Sequence, residues 1–309
     1  IIGFQEVYDH SADDVAELML ELLPPLDQGT WYASKVHDNI IASRFPILSK
    51  HQANVSGNGA FLIDLRPKYN SPLLVVNAHT PCCSNDDGRK YETDAMMAFI
   101  RDAKMGAESL TLAENTPIMI MGDMNLVGDP QHFQTLIDGD IQNESTWGSD
   151  FVPDWNGSDF LDVEPMVTGL PMTFTHWSYP GPGGYSTGRL DVIIYSGSGL
   201  TLENSFVMYT ASMSDDELIA LGLKEGDSEG ASDHLPLVAD FEVTAIVDQK
   251  VILNTNYSTR IFEVNLLPNP TSDLLKIEVS HPIIVKQIKI LDLSGRLVLE
   301  MKLDRTLED

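Results

Sequence analysis

Five groups of polar residues stand at the ends of apolar runs: Gln5-Glu6, Asn77-Ala-His79, Asp123-Met-Asn125, Arg189-Leu-Asp191 and Asp233-His234. Residues two apart on an extended chain point the same way, so Asp123 and Asn125 offer one carboxylate and one amide to a common partner. Several carboxylates with an amide suit a hard cation such as magnesium, which takes oxygen ligands and keeps some of its waters. Two histidines without cysteine partners do not suit a structural zinc site. They suit proton transfer and donation to charge that develops on a phosphoryl group. A carboxylate such as Asp191 beside a histidine holds it protonated.

These groups need elements to carry them. Ile118 to Met121 is apolar throughout, as a strand buried on both faces is, with Pro117 and Gly122 as its punctuation. Leu73 to His79 and Arg189 to Ser196 read the same way. Ile1 to Val7, Thr30 to Val36, Asn39 to Leu48, Gly59 to Leu65, Leu202 to Tyr209 and the apolar stretch after Ser232-Asp-His234 supply further strands. Ser11-Ala-Asp-Asp14 has the form of a capping box and opens a helix that Pro24-Pro25 stop. Gly88 to Met105 is predicted as a helix with Met96, Met97, Phe99, Ile100 and Ala103 on its apolar face. Short helices are expected at 130–137 and 214–221. Residues from about 139 to 184 read as mainly irregular, and such long segments are often functional. From Leu266 onward the pattern becomes a small all-β module.

The chain has 309 residues, 43% of them apolar, enough for one large core and a small appended module. No apolar run approaches the ~18 residues that span a bilayer. A net charge of -27 argues against a broad electrostatic footprint on nucleic acid or anionic lipid. It leaves room for a phosphate substrate, because a bound divalent cation inverts the local field. The only cysteines, Cys82 and Cys83, are adjacent, so no ordinary disulfide framework is possible, and both are read as thiols in the core or near the site.

Taken in order, Gly-Phe-Gln-Glu-Val, Ser-Arg-Phe-Pro, Asn77-Ala-His79, Gly-Asp123-Met-Asn125, Arg189-Leu-Asp191 and Ser232-Asp-His234 resemble the endonuclease/exonuclease/phosphatase superfamily. That group includes deoxyribonuclease-like enzymes, neutral sphingomyelinases and inositol polyphosphate 5-phosphatases. The resemblance implies an α/β fold, a four-layer α/β/β/α sandwich of two mixed β-sheets. It implies Mg2+ as cofactor, with Mn2+ or Ca2+ as substitutes, held by Glu6 and Asp233. Asp123 would position or deprotonate the attacking water. Asn125 and Asn77 would hold phosphoryl oxygens, and Arg44 would contact phosphate or form a structural pair. His234, oriented by Asp191, would stabilise the transition state or act as the base partner, and His79 would protonate the leaving oxygen. Arg189 is expected to support its strand or Asp191. Relatives carry an upstream asparagine on a first strand, so the native N-terminus is expected to lie before Ile1.

Leu-Pro-Asn-Pro-Thr-Ser-Asp followed by Ile-Leu-Asp-Leu-Ser-Gly-Arg-Leu-Val resembles a type IX secretion C-terminal sorting domain, expected to continue past Asp309. The expected organisation is a catalytic domain at 1–245, a linker at 246–264 and the sorting domain at 265–309. Together the resemblances imply a monomeric, secreted or surface-held metal-dependent phosphoesterase that meets the type IX machinery through its tail. A nuclease is the first expectation. A phospholipid or sphingomyelin phosphodiesterase and a catalytically silent binding module are the alternatives.

Overall fold

Strands form where the apolar runs are longest, and their pairing brings the polar ends together. In the computed structural model, β1 (Ile2–Phe4) leads to α1 (Ala12–Leu22), β2 (Tyr32–Val36), β3 (Asn39–Ser43), β4 (Ile47–Gln52) and β5 (Asn58–Ile63). The single turn α2 (Arg66–Tyr69), β6 (Leu73–His79), α3 (Asp86–Met105), β7 (Ile118–Asp123), α4 (Gln131–Asp138) and α5 (Glu144–Trp147) follow. Then come β8 (Leu161–Asp162), β9 (Met166–Val167), β10 (Asp191–Tyr195), β11 (Leu200–Val207), α6 (Asp215–Leu221), α7 (Asp227–Ala231) and β12 (Leu237–Val243). The described residues are 1–25, 29–107, 109–177, 186–244 and the strand segments 264–267, 276–279, 283–291 and 297–307.

A six-stranded sheet runs in the order β4-β5-β6-β7-β10-β8, and two three-stranded sheets run β1-β3-β2 and β12-β11-β9. The large sheet is mixed: β6 and β7 are parallel, and its other pairs are antiparallel. Side chains alternate between its faces. Leu74, Val76, Ile118, Ile120, Val192 and Ile194 pack under α3 and α4, against Met96, Phe99, Ile100 and Leu136. Phe61, Val75, Met119, Ile193 and Tyr195 face the other way, toward Ile41, Leu200, Leu237 and Phe241 of the small sheets. On the far side of β1-β3-β2, Val15 and Met19 of α1 cover Trp31, Ile40 and Ala42. These are four layers, α/β/β/α.

Two strand assignments differ from the sequence reading. Asn39 to Leu48 is not one strand. It breaks at Arg44-Phe45-Pro46, where Phe45 N–H donates to Ser43 Oγ and proline has no N–H for a ladder, so β3 and β4 enter different sheets. Gly122 does not end β7 but lies within it, at φ +127, and a Cβ there would meet the Ala78 backbone. Only glycine lets β6 and β7 approach so closely at this point.

The capping box at Ser11 is present, with Asp14 N–H donating to Ser11 Oγ and Ser11 N–H to Asp14 Oδ2. The long helix is capped by Asn85 and ends at Gly106. Cys82 and Cys83 are not thiols but form a disulfide with each other, and both are exposed on the turn between β6 and α3. Cys83 sits at φ 67, so the turn is tight enough to bring neighbouring sulfurs together.

The chain separates into two compact units, Ile1–Val247 and Asp248–Asp309. Among its described residues the second contains two antiparallel pairs, β13 (Val264–Leu267) with β14 (Lys276–Val279), and β15 (Ile283–Leu291) with β16 (Leu297–Leu307). The expected linker at 246–264 lies, apart from Val264, outside the described residues.

Candidate active site

The register of the large sheet sets the site. Parallel pairing places His79 opposite Asp123, and antiparallel pairing places Asp191 opposite the same residue. Period two puts all three on the face that meets the small sheets, at the end of the seam between them. The small sheets bring Glu6 just past β1, Asp38 just before β3, and Asp233-His234 ahead of β12.

Asp123 is the hub. Its Oδ1 accepts from Asn125 N–H at 2.8 Å and its Oδ2 from Asn125 Nδ2 at 3.1 Å. Asn125 also donates to Thr80 O at 2.8 Å and sits at φ 44, so its amide is held against Asp123. Burial, reinforced by the neighbouring Asp191 carboxylate, pushes the Asp123 carboxyl up to about 6.

A histidine stands on each side of that hub. His234 Nδ1 donates to Asp191 Oδ2 at 2.8 Å, and its Nε2 lies 3.9 Å from Asp123 Oδ2. The Asp191 hydrogen bond outweighs burial and raises His234 to about 9, so it is an imidazolium at neutral pH. His79 Nδ1 meets Asp38 Oδ2 at 3.3 Å, while its Nε2 is 3.8 Å from Asp123 Oδ2 and 3.5 Å from Glu6 Oε1. Two histidine–carboxylate pairs thus aim their Nε2 atoms at the same oxygen of Asp123.

Asp38 was missed in the sequence. Its signal was there: His37-Asp38-Asn39 is a polar group at a strand start, with the layout of the other five. Thr175 was also missed. Its hydroxyl accepts from both Leu190 and Asp191 N–H, at 3.0 and 2.9 Å, and fixes the start of β10. Arg189 forms a two-pronged pair with Asp162, at 2.6 and 2.5 Å, which ties β10 to β8.

Two residues read as substrate contacts are not in the cluster. Asn77 is wholly buried, accepts from Gln5 Nε2 at 2.5 Å, and donates to Phe4 and Ile40 carbonyls at 3.1 and 3.2 Å. Its amide is spent on clamping β1 and β3 to the large sheet. Arg44 sits at the other end of β3 from Asp38, roughly 20 Å along the strand. There its guanidinium lies 5.1 Å over Trp31 and donates to Leu23 O.

For a cation, Asp123, Asp191 and His234 hold ligand atoms within 4.8 Å of one another. A protonated His234 that already donates to Asp191 is a poor ligand, so the oxygens are the relevant donors. The Asp123 and Asp191 carboxylates are near enough to interact, Glu6 is exposed beside His79 and Asp233 exposed beside His176, and carboxylate oxygens of this kind fit a hard divalent ion. Glu6, at φ 58, turns its carboxylate toward His79.

The family model of the endonuclease/exonuclease/phosphatase family matches residues 1–234, and a secretion-system C-terminal sorting domain matches 265–309. Four layers with a histidine–carboxylate site at one end of the seam define a phosphoesterase fold. The chain belongs to the endonuclease/exonuclease/phosphatase family, whose enzymes depend on divalent metals. Its tail marks it for type IX secretion to the cell surface or beyond. Among the described residues no helix is long and apolar enough to cross a membrane.

Similar solved structures include D. rerio TDP2 in complex with a single-strand DNA product, at 13% identity and TM-score 0.47, over 78% of this chain and 85% of that one. Beta toxin from Staphylococcus aureus matches at 19% identity and TM-score 0.43, over 77% and 85%. A Bacteroides vulgatus endonuclease/exonuclease/phosphatase matches at 14% identity and TM-score 0.44, over 78% and 84%. No curated protein matches significantly.

Proposed function

We propose that the protein is a secreted, divalent-metal-dependent phosphodiesterase that acts on nucleic acid. The observation that carries this reading is the convergence of His79 and His234 on Asp123 Oδ2, each backed by its own carboxylate. A silent binding module has no need of two such pairs.

Asp123, with a carboxyl poised near neutrality, orients the attacking water and takes its proton. Asn125 holds that carboxylate in place. His234, kept cationic by Asp191, donates through Nε2 to the charge that grows on the phosphoryl oxygens. His79, with Nδ1 turned to Asp38, presents Nε2 to the leaving oxygen and protonates it. Glu6 and Asp233 would hold the divalent ion, which when bound supplies Lewis-acid stabilisation of phosphoryl charge.

Nucleic acid suits an exported hydrolase that scavenges outside the cell. A second reading draws on one observation. A cavity of about 350 Å³ beside His79 is lined by Glu6, Tyr8, Asp38, Cys82 and Glu92, with no lysine or arginine in its wall. That wall favours a compact phosphodiester, such as a phospholipid headgroup, over a long polyanion. Single-stranded DNA, plasmid DNA, RNA, sphingomyelin vesicles and a phosphomonoester, each assayed with magnesium, decide between them. Cleavage of DNA or RNA with the monoester untouched is the expected result. Cleavage of sphingomyelin alone moves the assignment to the second reading, and no cleavage of any diester leaves the binding module.

A further inference from the structure

The loop that follows Glu6 is built around a lysine. Lys35, on β2, donates from Nζ to the carbonyls of Val7 at 2.5 Å, Tyr8 at 3.3 Å and His10 at 2.7 Å. An ammonium has three N–H donors and no acceptor, so this set uses all of them. Three carbonyls from a four-residue stretch repel one another unless a donor or cation faces them. Here the cation is a side chain.

Two further contacts tie this knot to the site. Val7 N–H donates to Asp38 O at 2.9 Å, which joins the loop to the residue that orients His79. Tyr8 N–H donates to Glu6 O at 3.0 Å, across a Glu6 held at φ 58. A glutamate in the left-handed region is uncommon and persists only when its surroundings fix it. Lys35 is the group that fixes the chain on its C-terminal side.

We propose that Lys35 is a positioning residue for Glu6: its ammonium gathers the Val7, Tyr8 and His10 carbonyls and so aims the Glu6 carboxylate at the divalent ion. This rests on the reading of Glu6 as a ligand. It has a signature that simple electrostatics does not share. Removal of a positive charge close to a cation site tightens cation binding if charge alone matters. Removal of a residue that positions the ligand weakens it.

The test is the Mn2+ dissociation constant of the full chain, followed by electron paramagnetic resonance without substrate. Lys35→Met is expected to weaken Mn2+ binding by about tenfold or more, the range seen when a ligand's supporting contact is lost. Lys50→Met removes the same charge from β4, where Lys50 Nζ donates to Lys35 O at 3.0 Å; because the Lys35 ammonium and its three carbonyls stay in place, binding is expected to be unchanged or tighter. Lys35→Arg provides a second variant should the methionine form not fold. Its planar fork does not match three converging carbonyls, so several-fold weaker binding is expected. In a Glu6→Gln background the Lys35→Met effect disappears, because the two act as a unit. Unchanged or tighter Mn2+ binding in the Lys35 variants, with Glu6→Gln itself weakening binding, overturns the inference and leaves the Glu6 reading standing. If Glu6→Gln has no effect either, both fall.

Discussion

His234 Nδ1 lies 2.8 Å from Asp191 Oδ2, and that bond sets the charge of the site. His234 is raised from 6.5 to about 9. A histidine whose folded value exceeds its unfolded one contributes stability that is fully present below about 6.5 and is lost as pH rises through about 9. In metal-free Asp191→Asn the imidazole is expected to titrate much nearer its ordinary value, followed by NMR. The same change is expected to lower kcat by at least about 10²-fold. An unchanged imidazole titration contradicts the assigned pair.

The leaving-group side offers a separate test. If His79 protonates the departing oxygen, its removal matters in proportion to how poorly that oxygen leaves. His79→Ala is expected to cost roughly 10²-fold on an alkyl phosphodiester and far less on a p-nitrophenyl one. Equal losses on both assign His79 to another task. Asp38→Asn is expected to follow the same pattern, because it acts through His79 Nδ1.

Glu92 is strained by its surroundings. Burial, with Asp38 nearby, raises its carboxyl from 4.5 to about 7, and its Oε2 has no hydrogen-bond partner. An acid with a raised folded value destabilises the fold as pH climbs from about 4.5 through about 7. Glu92→Gln is therefore expected to raise Tm at pH 8 and to change it little at pH 4.5. A lower Tm at pH 8 shows that the charged carboxylate is satisfied.

Arg189 and Asp162 are both largely buried, with side chains 21% and 12% exposed. Arg189→Met leaves Asp162 with an unpaired charge. A loss of about 3 kcal/mol is expected by urea unfolding. A loss below about 1 kcal/mol is the result for an exposed, solvated pair.

Much of this was legible because continuous apolar runs, buried on both faces as strands, end in polar pairs. Asp123, Asp191, His79 and His234 were identified that way, and the sheet register brings them into one cluster. Asn77 shares the same local pattern, while Arg44 was implied only by the resemblance. Sequence alone does not tell an amide that faces a cleft from one that clamps two sheets, since that depends on which strands become neighbours. Asp38 carries the same local pattern; what the sequence does not show is that the β2–β3 turn comes to His79. The Cys82–Cys83 bond escaped because adjacency argues against pairing unless the turn conformation is known.

Whether the cleft around Asp123 performs hydrolysis with a divalent ion decides the proposed function. Turnover of a simple phosphodiester by the protein, with EDTA and then with excess Mg2+, is the most direct measurement. The prediction is turnover that EDTA abolishes and Mg2+ or Mn2+ restores, and that Asp123→Asn lowers by at least about 10²-fold. Turnover that continues undiminished in EDTA, or in the Asp123 variant, contradicts it.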